Sequence, residues 1–184
     1  MKAGVRALGV AESFRDERST LAGAVVRADR VVDGLVFGRC TVGGHDATDG
    51  VAALFESLDR PDVRYCIVAG IAPAWFNVLD LRALHDAVER PVLSVTFEAS
   101  NGLTDAIEAA FDGEERTRRL ARYRAQPDRW ELDVHGETLF VRNVGLDRAD
   151  AADVVRAFTP EGGRPEPIRV ARLAARAADA FVRE

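Results

Sequence analysis

Three carboxylates stand beside the ends of apolar runs: Glu12, Asp46 and Asp49. Carboxylate oxygens are hard donors that suit Mg²⁺, and a bound Mg²⁺ orients an attacking water and stabilises a leaving oxygen. Glu12 and Asp46 are the candidate metal ligands; Glu12, Asp46 and Asp49 together are the candidate catalytic set. His45 adjoins Asp46 and can act as a general base if a partner lies within hydrogen-bond reach. Helix capping is the competing account of the two aspartates. Asp46 or Thr48 can receive the free amides of a first helical turn, and Asp49 suits its positive end.

Two other groups have the chemistry of nucleic-acid contact. Pro73-Ala74-Trp75-Phe76-Asn77 follows an apolar strand, in the region where parallel strands form ligand crevices. Trp75 can stack on a base and Asn77 can bond its edge, whereas Phe76 reads as a core anchor and Asn77 also reads as a turn residue. Segment 114–129 carries Arg116, Arg118, Arg119, Arg122, Arg124 and Arg129 against Glu114, Glu115 and Asp128, with Tyr123 inside it and Trp130 next to it. Arg118 and Arg122 are the candidate phosphate contacts; a solvated helix with internal ion pairs shows the same mixture. Ser13 and Ser94 have no His–Asp partnership, and the GxxxxGK[ST] phosphate loop is absent. Cys40 and Cys66 lie in apolar runs without a CxxC pattern, which predicts buried, reduced thiols rather than zinc.

The elements that must position these residues follow from hydrophobic period. Val5–Val10, Thr20–Arg27 and Val31–Val42 read as strands with short polar links, an antiparallel meander with a turn at Asp29-Arg30. A helix then runs to about Leu58 with Val51, Leu54, Phe55 and Leu58 on one face, ended by Pro61. Tyr65–Val68 and Val92–Phe97 read as buried strands around a helix at Asp80–Val88, which implies parallel pairing with right-handed crossovers. Helices follow at Thr104–Phe111 and Glu114–Ala125, then a hairpin of Trp130–Val134 and Thr138–Val141. Helices at Ala149–Phe158 and Pro167–Val182 close the chain. Pro167 suits a first helical turn, with Glu166 at its positive end and Arg169 able to pair with it. The order is that of an α/β, ribonuclease-H-like fold: a mixed five-stranded sheet flanked by helices, with a C-terminal hairpin and helix extension.

The chain has 184 residues, 47% hydrophobic and 30% charged, which points to a single domain over 1–184. No apolar run approaches the roughly 18 residues of a membrane span. Arg6 interrupts the N-terminal segment where a signal peptide would be apolar, which points to a cytoplasmic location. The net charge of −5 argues against a basic coat for bulk nucleic-acid binding but leaves room for a local basic groove.

Four motifs stand in order along the chain. Gly9-Val10-Ala11-Glu12-Ser13 follows the first strand, and Asp46-Ala47-Thr48-Asp49 precedes the first helix. Gly70-Ile71 leads to Phe76-Asn77-Val78-Leu79-Asp80, and Pro165-Glu166-Pro167-Ile168-Arg169 opens the last helix. Their order and intervals resemble an archaeal family formerly known as domain of unknown function 99, related to endonuclease V, over nearly the whole chain. The resemblance implies the ribonuclease-H-like fold, a Mg²⁺-dependent nuclease ancestry, DNA as partner, and repair by nicking deoxyuridine-containing DNA. The family pattern carries Asp where Ala11 and Ala69 stand here. Adjacent strands lie about 4.8 Å apart, so carboxylates at neighbouring ends can share metal ions, and two methyl groups cannot. The expectations are therefore a degraded metal centre, a relocated one at Glu12, Asp46 and Asp49, or a scaffold that binds nucleic acid or protein without catalysis.

Overall fold

A computed structural model describes residues 1–182; the last two positions of the unit expected over 1–184 lie outside the described residues. β1 (Arg6–Arg15), β2 (Arg18–Arg27) and β3 (Val32–Thr41) form the antiparallel meander. β1 extends beyond its apolar run because Glu12–Arg15 continue to pair with β2, from Glu12↔Leu21 to Arg15↔Arg18. This polar end of a hairpin carries no hydrophobic signal. Asp16 and Arg30 turn the two hairpins in the left-handed region, with φ of 56° and 72°.

Helix α1 (Ala47–Leu58) returns the chain to β4 (Val63–Val68), which runs parallel to β1. A single turn, α2 (Pro73–Phe76), and helix α3 (Leu81–Val88) lead to β5 (Val92–Thr96), parallel to β4. Then come α4 (Thr104–Ala110), α5 (Gly113–Arg124), β6 (Trp130–Val134), β7 (Glu137–Val144), α6 (Arg148–Ala157) and α7 (Glu166–Val182). The expected five strands stand in the order β3-β2-β1-β4-β5. The hairpin continues the same sheet to seven strands, because β7 pairs antiparallel with β5 from Val92↔Val144 to Thr96↔Phe140. An unpaired β5 would leave a buried row of amides and carbonyls open at the sheet edge.

The period of two along each strand divides the core. On one face Leu8, Val10, Leu21, Cys66 and Val68 pack against Val51 and Leu54 of α1 and Leu81 and Leu84 of α3. On the other, Ala7, Ile67, Leu93 and Val141 meet Val154 and Val155 of α6 and Ile168 of α7, with Phe158 just beyond α6. That second face narrows to a patch of small side chains, Ala11, Ala24, Val26 and Ala171. There α7 touches the sheet almost backbone to backbone: a Cβ at Gly9 would lie 2.1 Å from the Pro167 carbonyl carbon and 2.2 Å from its oxygen. Both cysteines are buried free thiols. Burial, with the charge of Asp46, pushes the Cys40 thiol up to about 12, so it does not supply a nucleophilic thiolate. Among the described residues no helix is long and apolar enough to cross a membrane.

Gly9→Ala forces α7 off the strand. The expected result is a loss of about 1–3 kcal/mol, the usual range for overpacking, read as a lower urea midpoint with an unchanged slope.

A candidate functional site at the carboxyl ends of the parallel strands

β1 and β4 pair in register up to Val10↔Val68. One residue further, the Ala69 N–H donates to the Val10 carbonyl at 3.0 Å, so Ala11, inside β1, and Ala69, just past β4, stand side by side where the parallel pairing of the two strands stops. Both methyl groups pack into the small-residue patch beneath α7. Together with Glu12, Gly70, Pro73 and Arg172 they border a cavity of about 80 Å³. Glu12 is the carboxylate on this cavity, and it accepts a hydrogen bond from Ser19 Oγ at 2.8 Å. A divalent cation needs several oxygen donors converging on one point. Two methyl groups, one engaged carboxylate and a guanidinium do not provide them. Among the described residues no group of three or more His, Cys, Asp or Glu is placed to hold a metal ion. The donor set therefore does not fit Mg²⁺, and no chemical step is derived through it.

A second, larger pocket of about 230 Å³ opens beside the first and shares Ala69 and Gly70 with it. Gly70 leaves β4 with φ of 81°, which exposes the backbone of residues 70–72 along the pocket wall. Ser94 and Thr96 of β5, Glu98 and Ser100 just beyond it, Tyr123 of α5, Arg129 just before β6 and Arg142 of β7 supply its polar side chains. Arg142 lies 5.5 Å from the Tyr123 ring centre, and Arg129 lies 3.9 Å over Phe140 while holding the Ser100 carbonyl at 2.9 Å. Leu103 and Phe140 set apolar surface beside these polar groups, a combination that suits a small ligand.

The other expected site residues are placed differently. Asp46 does not cap α1 with its side chain. It turns back to β3 and accepts from the Thr41 N–H at 3.0 Å, the Thr41 hydroxyl at 2.8 Å and the Asn77 amide at 2.6 Å. Burial pushes its carboxyl up, but these hydrogen bonds outweigh burial and hold it below the ordinary aspartate range. Asn77 is fully buried. Its amide also donates to the Thr41 carbonyl at 2.8 Å, and its oxygen accepts from the Ala47 N–H at 2.9 Å, so Asn77 caps α1 from a distant loop and has no edge left for a base. Asp49 is exposed and lies on a separate groove with Glu56 and Arg60. Glu12, Asp46 and Asp49 are thus not gathered into one centre.

Trp75 is half exposed, in a run of three non-glycine residues with left-handed backbone, Ala74, Trp75 and Phe76 at φ 48°, 54° and 61°. Its ring rests on Phe111, 5.0 Å between centres, and Phe76 meets the same ring edge-on at 5.8 Å. Arg118 is exposed on the outer surface of α5. Arg122 donates to the His45 carbonyl at 3.3 Å, so part of its donor capacity is turned inward. The arginine that matters most to the architecture is Arg119. It is 1% exposed, lies 3.8 Å over the Phe111 ring, and donates to the carbonyls of Gly43 and Phe76 and to the carboxylate of Glu115. His45 Nε2 sits 3.0 Å from the same carboxylate. His45 therefore has a partner, but one on α5 that ties two loops together rather than one in the cavity.

Residue reasoning passed over Arg119 and Arg172. Arg119 sits in a run of arginines that all look alike. Arg172 had a readable signal: it falls on the inward stripe of α7, four residues after buried Ile168 and beside buried Ala171 and Ala175. Asn77→Ala should destabilise the protein by about 1–3 kcal/mol for each buried partner left unpaired, measured by urea unfolding. The Arg119 hydrogen bond, and then that of His45, lower the Glu115 carboxyl to about 2 from its ordinary 4.5. The stability it contributes is present above pH 4.5 and is lost as pH falls toward 2. Glu115→Gln should flatten the acid limb of the stability curve in that window and leave its alkaline side unchanged.

Comparison with known proteins supports this architecture. The Endonuclease dU family model matches residues 3–179. A UPF0215 protein of Pyrobaculum calidifontis is 34% identical over 175 residues, covering 91% of this chain and 93% of that one. The UPF0215 protein of Thermococcus kodakarensis is 34% identical over 167 residues, covering 89% and 83%. Among solved structures, a protein of unknown function from Archaeoglobus fulgidus superposes with a TM-score of 0.83 at 24% identity, over 94% of this chain and 97% of that one. Ciona intestinalis Endonuclease V, solved with a 24mer DNA containing an inosine followed by a ribo-adenosine, gives 0.65 at 11% identity over 96% and 87%. The sheet order and flanking helices are thus those of the endonuclease V fold, and the chain belongs to the Endonuclease dU family.

Proposed function

We propose that this chain is a nucleic-acid-binding member of its family that recognises a deoxyuridine-type base without cutting through the two-carboxylate metal centre. The observation that carries this reading is the placement of Ala11 and Ala69 side by side where the parallel pairing of β1 and β4 stops, with no donor set among the described residues beside them that fits a divalent cation. Without a metal to generate hydroxide and neutralise a leaving alkoxide, phosphodiester hydrolysis loses its main source of stabilisation. Recognition needs neither.

The 230 Å³ pocket is where an unpaired base would sit. The hydroxyls of Ser94, Thr96 and Tyr123 and the backbone of residues 70–72 can meet the polar edge of a pyrimidine. Leu103, Phe140 and the Tyr123 ring supply apolar contact with its faces. The family's description, Endonuclease dU, supports deoxyuridine as the base. Half-exposed Trp75 and exposed Arg118 lie on the flank formed by α2 and α5, where they can meet the strand beyond the flipped nucleotide.

The purified protein should bind a single-stranded oligonucleotide containing one deoxyuridine more tightly than its thymidine counterpart, and should produce no nicked product with Mg²⁺ or Mn²⁺. Thr96→Val with Ser94→Ala should remove the preference for deoxyuridine while leaving the fold intact. Metal-dependent nicking by the wild-type chain would sink this reading, and equal affinity for both oligonucleotides would remove the base pocket from it.

A further inference from the structure

Arg172 is the cation on the cavity beside the alanine pair, as Glu12 is its carboxylate. It reaches the 80 Å³ cavity from α7 and is half-buried there, beside Ala11, Ala69 and Gly70. Among the described residues no hydrogen bond or salt bridge engages its guanidinium. Glu12 and Glu98 attract it through space, and Arg164 and Arg176 oppose it. Arg164 itself lies 4.8 Å from the centre of the Phe97 ring, at the end of β5. Of these groups only Glu12 and Arg172 themselves line the cavity.

A half-buried guanidinium without a partner is an unfinished interaction. Burial, and then the two neighbouring arginines, pull Arg172 toward the neutral form. An anion entering the cavity would reverse that pull and take up donors that nothing else in the protein uses. The remaining walls are apolar, from Val10, Leu21, Val51, Val68, Pro73 and Leu79, apart from the Glu12 carboxylate that Ser19 engages; Arg172 is therefore the group that can take an anion, and its planar fork matches phosphate oxygens two at a time.

We propose that the cavity between Ala11, Ala69 and Arg172 is a phosphate-binding site, in which a fixed guanidinium stands where the metal ions of a nuclease would gather. Because this cavity shares Ala69 and Gly70 with the larger pocket, one nucleotide can place its base in the larger pocket and its phosphate on Arg172. The proposal rests on the nucleic-acid reading of the crevice for the source of the phosphate, not for the anion chemistry. The phosphate can belong to a strand or to a free nucleotide, and the two sources separate experimentally.

The test uses the full chain and four probes: inorganic phosphate, deoxyuridine, deoxyuridine 5′-monophosphate, and the deoxyuridine oligonucleotide. Calorimetry reads the small probes, and fluorescence anisotropy at several salt concentrations reads the strand. Arg172→Ala should weaken the monophosphate and the oligonucleotide by about tenfold, the worth of one charge-assisted pair, and leave deoxyuridine unchanged. The salt dependence on the single strand should fall by about 0.7, one phosphate contact. Ala69→Asp, which puts a carboxylate into the same cavity, should weaken both phosphorylated probes as well, and Arg172→Lys should keep most of the salt dependence. Circular dichroism melts establish that the variants fold.

If the wild type binds the monophosphate and the strand but Arg172→Ala and Ala69→Asp bind them equally well, the phosphate site falls and the base pocket survives. If the wild type binds inorganic phosphate and the monophosphate through Arg172 but not the strand, the site stands as a free-nucleotide site and the nucleic-acid reading falls. If the wild type binds no phosphorylated probe, the proposal is overturned.

Discussion

The close approach of α7 to β1 is the contact on which the rest of the molecule depends. With Gly9 against the Pro167 backbone and Ala11 against Ala171, the last helix lies on the first strand with almost no side-chain layer between them. Such proximity requires small residues on both partners, and β1 supplies Ala7, Gly9 and Ala11 on that face. It also sets the depth at which Arg172 hangs over the strand ends. A bulkier strand would lift the helix and carry the guanidinium out of the crevice. Joining the two ends of the chain in this way makes the fold dependent on contacts far apart in sequence, whose closure costs chain entropy.

The acids that first look chemical are divided between architecture and the crevice. Asp46 and Asn77 form a clasp that joins the end of β3, the start of α1 and the loop after α2. Arg119 adds a second clasp between the loop at Gly43, the same α2 loop and α5. A buried cation among carbonyls and an aromatic face is satisfied without a fully buried carboxylate, because Glu115, its acid partner, stays in solvent. These clasps hold the rim of the site rigid from one side, while the backbone of residues 70–72 faces it from the other. The endonuclease V fold is therefore held together at this rim by polar residues that do not touch Ala11 or Ala69.

Much of this was legible in the residues, and the limits have physical causes. The adjacency of Ala11 and Ala69 was legible only through the resemblance to a ribonuclease-H-like sheet, because no single crossover joins β1 to β4: α1 leads from β3 to β4, and β4 lies beside β1. The helices α1, α3, α6 and α7 announced themselves by apolar period. The polar end of β1 and the joining of β7 to β5 were invisible, since strand partners are chosen across long stretches of chain and polar hairpin ends have no hydrophobic pattern. Capping was misassigned for a related reason: Asp46 is the local candidate, but Asn77, thirty residues away, reaches the Ala47 amide first. Arg119 shows the reverse problem, in which one residue of a charged run is buried and nothing in composition marks which.

One consequence lies in the loop that carries Trp75. Each left-handed L-residue sits roughly 1–2 kcal/mol above its relaxed conformation, and three stand in a row, kept there by carbonyl contacts to Arg119 and to the Gly43 amide. The segment behaves like a sprung latch: its energy is already raised, so the gap to a rearranged form is narrower than for a relaxed loop. A strand that stacks on the indole and loosens the Arg119 contact would draw on stored backbone energy to move it. The strained element of this otherwise relaxed rim is then the one that bears its exposed aromatic ring.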